Sequence, residues 1–142
     1  MGLYIDTSVF LKLFFVEPES GPAAAIVARE PEIVVSSLTR LEAVVQVKRR
    51  IASGCLSMAT ATNLVRQLEG RIRLAPFEFR RCPAALPETA QCQALRSRVH
   101  CSTLDRLHLA AMEAFGLRRL LTNDDRQAAA ARELGFDAVF PR

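Results

Sequence analysis

Four acids stand where the chain turns from an apolar, strand-like run into a helix. Asp6 follows Leu3-Tyr4-Ile5, Glu42 lies in the opening turns of the helix after a second strand, Asp105 falls in the first turn of a helix opening at Ser102, and Asp124 separates a late strand from its helix. Each has a purely structural alternative: Asp6 and Asp124 suit helix caps, while Thr39-x-x-Glu42 and Ser102-x-x-Asp105 both fit the capping-box pattern. Taken together they point further. Carboxylates collected at one edge repel each other and are costly unless a cation neutralises them. Glu42 is flanked by Leu38, Leu41 and Val45, on the border of a buried face, where an unpaired charge is expensive. Oxygen ligands without a histidine or cysteine cluster favour Mg²⁺ or Mn²⁺ over Zn²⁺. Hard cations held by carboxylates serve phosphoryl transfer, phosphodiester hydrolysis included.

The elements that must place these acids are legible from pattern. Strands are expected near residues 4, 34, 76, 121 and 139. Helical segments separate them: Ser8 to about Phe15, Ala23–Arg29, Leu38–Ala52, Ser57–Arg71, a segment from the Pro83/Pro87 region to about Val99, Ser102–Phe115 and Asp125–Leu134. Strand and helix in alternation is the signature of an α/β fold with a mostly parallel central sheet of about five strands and helices on both faces. Every strand-to-helix turn then emerges at one edge, where such sheets bind ligands.

Composition sets the outer bounds. A chain of 142 residues, half of them hydrophobic, is expected to be one domain spanning 1–142, and its apolar runs are too short for a membrane span. Asp6 interrupts the N-terminal apolar run, so a secretion signal is not expected and the cytoplasm is. Cys55, Cys82, Cys92 and Cys101 form no CxxC pair and read as reduced thiols. The net charge is +4 and lysine occurs only at Lys12 and Lys48, so the positive charge is carried by arginine, which grips phosphate in a two-pronged fork and is compatible with nucleic acid. The same shortage of lysine argues against a response-regulator receiver or a haloacid-dehalogenase-like phosphatase, both of which need a late lysine.

The stretches Tyr4-Ile5-Asp6-Thr7-Ser8, Ser37-Leu38-Thr39-Arg40-Leu41-Glu42, Thr103-Leu104-Asp105-Arg106-Leu107-His108-Leu109-Ala110-Ala111 and Leu121-Thr122-Asn123-Asp124 resemble, in order, the four motifs of the PIN-domain nucleases. Within that superfamily the chain resembles the VapC-type toxins of bacterial toxin–antitoxin pairs. The resemblance implies a single PIN-like domain with metal-dependent endoribonuclease activity, an RNA substrate and a protein antitoxin that keeps it silent. It implies that Asp6, Glu42, Asp105 and Asp124 hold Mg²⁺, with Mn²⁺ as a substitute, and orient the attacking water. Thr7, Ser8 and Thr122 would support those ligands or touch substrate, and Asp125 would replace or assist Asp124, although the Thr-Asn-Asp spacing favours Asp124. His108, on the same helical face as Asp105, would touch the acids or RNA, or else pack in the core. The apolar stripes of the helices at 38–52 and 57–72 are expected to serve a homodimer and an antitoxin helix, or to be ordinary core. Two other functions stay open: an RNA-binding module with a lapsed site, and a DNA or structure-specific nuclease.

Overall fold

Alternation along the first strand decides which layer each side chain joins. In the computed structural model, which describes residues 2–142, β1 (Leu3–Ile5) is fully buried. Leu3 and Ile5 enter one hydrophobic cluster and Tyr4 the other, as the two-residue period of a strand requires. A strand buried on both faces belongs at the centre of a parallel sheet. The sheet confirms this: its order is β3-β2-β1-β4-β5, formed by β2 (Ile33–Ser36), β3 (Phe77–Arg80), β4 (Arg119–Leu121) and β5 (Asp137–Val139), and every neighbouring pair is parallel.

Helices cover both faces. Against Leu3 and Ile5 pack α1 (Thr7–Leu11), α2 (Ser20–Arg29), α3 (Ser37–Ala52) and α4 (Met58–Arg71), through Phe10, Val27, Ala43 and Leu68. Against Tyr4 pack α5 (Leu86–Arg96), α6 (Thr103–Phe115) and α7 (Asp125–Glu133), through Leu86, Leu109, Met112 and Ala131.

Several boundaries differ from the pattern-based expectation, among them the start of α2, at Ser20 rather than Ala23. The first helix stops at Leu11 rather than near Phe15, because the backbone N–H groups of Lys12, Leu13 and Phe14 donate three residues back, to Val9, Phe10 and Leu11, and the coil tightens into turns. The third strand begins at Phe77, since Leu74 and Phe77 are tied into turn hydrogen bonds and Pro76 lacks an N–H. Helix α5 ends at Arg96, where Ser97 goes extended at φ −86°, ψ 141°.

One ion pair ties the sheet to α2. Arg119 on β4 grips both oxygens of Glu30 at 2.9 and 2.7 Å. These bonds hold the Glu30 carboxyl below the usual glutamate range, against the opposing effect of burial. A carboxylate depressed in the folded state stabilises above its unfolded pKa, and the contribution is lost as pH falls through the folded value. Glu30→Gln should therefore cost about 1 kcal/mol at neutral pH, with the gap to wild type closing below roughly pH 4; urea unfolding at the two pH values checks this.

Candidate active site

The chain leaves β1 toward β2 and β3 on one side and later returns to place β4 and β5 on the other. The crevice beyond the carboxyl ends of β1 and β4 is thus a topological switch point, the place where open parallel sheets bind ligands. Asp6, Glu42, Asp105 and Asp124 all line one open cavity of about 630 Å³ at this edge, together with Thr7, Ser8 and Asp125.

How each acid is held decides between cap and site. Asp6 occupies the N-cap position of α1 but caps nothing with its side chain. Instead its Oδ2 accepts the Ser8 hydroxyl at 2.7 Å and lies 3.5 Å from Thr122 Oγ1, in a position only 7% exposed. The capping box anticipated at Thr39 and Glu42 does not form. Ser36 caps α3 by accepting the Thr39 N–H at 3.1 Å, and the Thr39 hydroxyl is aimed at the Ile5 carbonyl at 3.3 Å. Glu42 is left to the cavity, its Oε1 accepting from Thr7 Oγ1 at 3.1 Å and from His108 Nε2.

The other two acids do act as caps. Asp105 and Ser102 complete a capping box: the Asp105 N–H donates to Ser102 Oγ at 3.1 Å, and Asp105 Oδ2 accepts the Ser102 hydroxyl at 2.7 Å. Asp124 Oδ1 accepts the backbone N–H groups of Arg126 and Gln127 at 2.8 and 3.0 Å at the start of α7. Both nevertheless face the shared cavity, and the charges interact. Burial raises the Asp105 carboxyl above its ordinary value, and the charges of Asp124 and Asp6 push it the same way against the lowering effect of Ser102.

The remaining residues separate clearly. Thr122 Oγ1 donates to Gln127 at 2.7 Å and receives the Asp124 N–H at 3.1 Å, so it links the ends of β4 and α7 beneath Asp6. Asp125 is exposed and pairs with Arg142 at 2.9 Å. His108 is buried, 3.7 Å from Asp6 Oδ1 as well as bonded to Glu42.

Lys12 also lines the cavity and was not legible as a site residue. Its Nζ donates to Glu17 at 2.7 Å and Glu19 at 3.1 Å. Burial lowers its pKa, but these two carboxylates outweigh that and hold the ammonium above the ordinary lysine value. The available signal was its spacing, four residues after Ser8 on the same side of the turn. Tyr4, which contacts His108, could be assigned only to the core from its strand pattern.

The donor set suits a hard divalent ion. All four side chains are oxygen donors, two of them, Asp6 and Glu42, meet at His108, and the Asp105 carboxyl is raised first by burial and then by the charges of Asp124 and Asp6, both of which a cation would offset. As placed, no three His, Cys, Asp or Glu side chains among the described residues form a ready metal-holding group. Asp105 Oδ2 is bonded to Ser102 and Asp124 Oδ1 to the start of α7, so one oxygen of each of these acids is already engaged by a cap.

Asp105 follows a connection between two helices, α5 and α6, rather than a strand, so the four acids come from three strand-to-helix turns and one helix-to-helix turn. A fully parallel five-strand sheet with these acids at its switch point defines a class, and comparison with known proteins gives it a name. The chain belongs to the PIN domain family, whose model matches residues 3–133. Ribonuclease VapC46 of Mycobacterium tuberculosis (strain ATCC 25618 / H37Rv) is 29% identical over 152 residues, covering 99% of this chain and 98% of its own. Among solved structures, VapC20 of Mycobacterium tuberculosis, a Sarcin-Ricin loop cleaving toxin, superposes with a TM-score of 0.72 at 20% identity, over 94% of this chain and 95% of that one. A toxin–antitoxin complex from Klebsiella pneumoniae gives a TM-score of 0.65 at 21% identity, over 99% and 98%. The two structural likenesses speak to the fold.

Proposed function

We propose that this chain is a VapC-type endoribonuclease toxin that hydrolyses RNA phosphodiester bonds at the acidic edge and is silenced by a cognate antitoxin. The observation that carries the reading is the convergence of Asp6, Glu42, Asp105 and Asp124, spread over more than a hundred residues of sequence, on one cavity at the switch point. The nearly full-length likeness to a ribonuclease supports RNA as the substrate class. The four acids would hold Mg²⁺ or Mn²⁺, which when bound supplies a Lewis acid for the phosphate and a lowered pKa for the attacking water.

The chain's own residues do the positioning. The Ser8 hydroxyl occupies Asp6 Oδ2 and so fixes the carboxylate plane. The Thr7 hydroxyl does the same for Glu42, so consecutive residues of α1 orient acids from two different elements. Lys12 and Arg50 line the same acidic cavity, paired with Glu17, and are the cations that would meet a phosphate backbone there.

For the partners, Leu41, Val45 and Met58 leave much of their apolar surface exposed on α3 and α4, and a shallow cavity of about 260 Å³ between these helices is lined by Val44, Val47, Ile51, Ala61 and Val65. This face suits an amphipathic antitoxin helix, with part of the surface serving a homodimer. No helix among the described residues is long and apolar enough to cross a membrane; a cytoplasmic site of action fits the proposed substrate.

The deciding experiment is cleavage of total cellular RNA by antitoxin-free protein with Mg²⁺, with Mn²⁺ and with chelator. Discrete cuts that require the metal are expected. Salt-sensitive RNA binding without cuts would instead favour a binding module with a lapsed site, and cleavage of DNA but not RNA a DNA nuclease.

A further inference from the structure

Tyr4 and α6, which carries His108, belong to the layer opposite α3, which carries Glu42, yet His108 reaches the Glu42 carboxylate. His108 on α6 is 1% exposed and both its ring nitrogens are engaged: Nδ1 lies 2.6 Å from Tyr4 Oη, and Nε2 contacts Glu42 Oε1. Tyr4 Oη lies 2.7 Å from Ser36 Oγ, which receives the Thr39 N–H. A carboxylate oxygen accepts, so Nε2 of the His108 ring carries a proton. Burial keeps the Tyr4 phenol protonated well beyond its ordinary range, so it has a proton to give. One assignment then serves every atom of the chain: Thr39 N–H to Ser36, Ser36 hydroxyl to Tyr4, Tyr4 hydroxyl to His108 Nδ1, and His108 Nε2–H to Glu42.

The far end of this chain is asymmetric. Thr7 and His108 both donate to Oε1 of Glu42, whereas Oε2 has no protein donor among the described residues. Glu42 also lines the acidic cavity. A carboxylate pinned through one oxygen presents the other in a fixed direction, as buried groups behind metal ligands commonly arrange.

We propose that His108 is a positioning residue for the acidic site: held as its Nε2–H tautomer by Tyr4, it locks Glu42 through Oε1 and leaves Oε2 as the oxygen offered to a cation. The proposal rests on the metal-dependent nuclease reading, and goes beyond it in assigning work to a residue pair that touches neither cation nor RNA. A histidine present only for packing would leave the ring nitrogens without this division of partners.

The test uses full-length His108→Leu, His108→Gln and Tyr4→Phe proteins, each first shown to be folded by circular dichroism. Mn²⁺ affinity is measured by calorimetry without RNA. His108→Leu should bind Mn²⁺ about 10–100-fold more weakly than wild type and lose kcat by a similar factor with little change in KM. His108→Gln, whose side-chain amide again donates toward Glu42, should recover most of both. Tyr4→Phe keeps the core filled and should give a smaller loss of affinity, so it carries the test if His108→Leu does not fold. Nitrogen-15 spectra of the metal-free wild-type protein should show the proton of His108 on Nε2. Wild-type Mn²⁺ affinity in folded His108→Leu or Tyr4→Phe overturns the proposal, as does a glutamine variant no better than leucine, or a proton found on Nδ1 alone. Failure of the nuclease reading looks different: the wild-type protein itself then binds no Mn²⁺ and cuts no RNA, while the nitrogen spectra still decide the hydrogen-bond chain.

Discussion

Asp105→Asn should silence RNA cleavage by about a hundredfold or more while the protein melts at the same temperature as wild type or higher. The two effects separate because asparagine preserves one role of this residue and removes the other. Its amide oxygen still accepts from the Ser102 hydroxyl and N–H, now at 2.7 and 3.3 Å, so the capping box at the head of α6 survives. What disappears is a charge that burial, Asp124 and Asp6 all oppose. A residue kept for packing or capping would show the reverse: stability lost, activity following it down. Single-turnover cleavage with Mn²⁺ and a thermal melt on the same preparation make the comparison. An Asp105→Asn protein that cuts at the wild-type rate would remove Asp105 from the proposed ligand set. Asp6→Asn should be as inactive, but its carboxylate is fastened by Ser8 rather than by a cap.

The second large effect is mechanical. Phe10 is fully buried, its ring meeting Phe14 edge-on at 5.2 Å and Phe77 at 5.9 Å between centroids. Helix α1, which it anchors, has five residues and no stability of its own. Phe10→Ala should cost about 3–5 kcal/mol, a large share of the roughly 5–15 kcal/mol that holds a domain together. Because Thr7 and Ser8 precede Phe10 on the same short helix and orient Glu42 and Asp6, the cleavage rate per folded molecule should fall as well. Urea unfolding gives the first quantity, and rates measured well below the midpoint give the second. Activity per folded molecule equal to wild type would mean that α1 places its hydroxyls without the Phe10 anchor.

Much of this architecture was readable because its signals are local. The apolar run Leu3-Tyr4-Ile5, the spacing of Leu38, Leu41 and Val45, and the stop at Gly116 each report on neighbours in the chain. The parallel sheet followed from the alternation of strand and helix, while the order of its strands came only with the structure; all four acids line one cavity at the expected edge. The family resemblance rested on those same junctions, and the family match over residues 3–133 agrees with it. What stayed hidden was contact between residues far apart in sequence. Thr39-x-x-Glu42 looks like a capping box on the page, yet Ser36 takes the cap and frees Glu42 for Thr7 and His108, 35 and 66 residues away. Asp125 could not be told from Asp124 by type; the C-terminal Arg142, which occupies it, settles their different surroundings. Helix α1 ended early for a reason periodicity does not carry, since Leu13 and Phe14 keep apolar spacing whether the backbone bonds reach back three residues or four.

Tyr4 has one more consequence. The chain contains a single tyrosine and no tryptophan, and that tyrosine is sealed between Ser36 and His108 behind the acidic edge. The phenol absorption and fluorescence of the whole molecule therefore come from one ring at the working end of the sheet. A change there is a message from the site rather than an average over the surface, so this protein carries its own optical probe at the position where a label would otherwise have to be engineered.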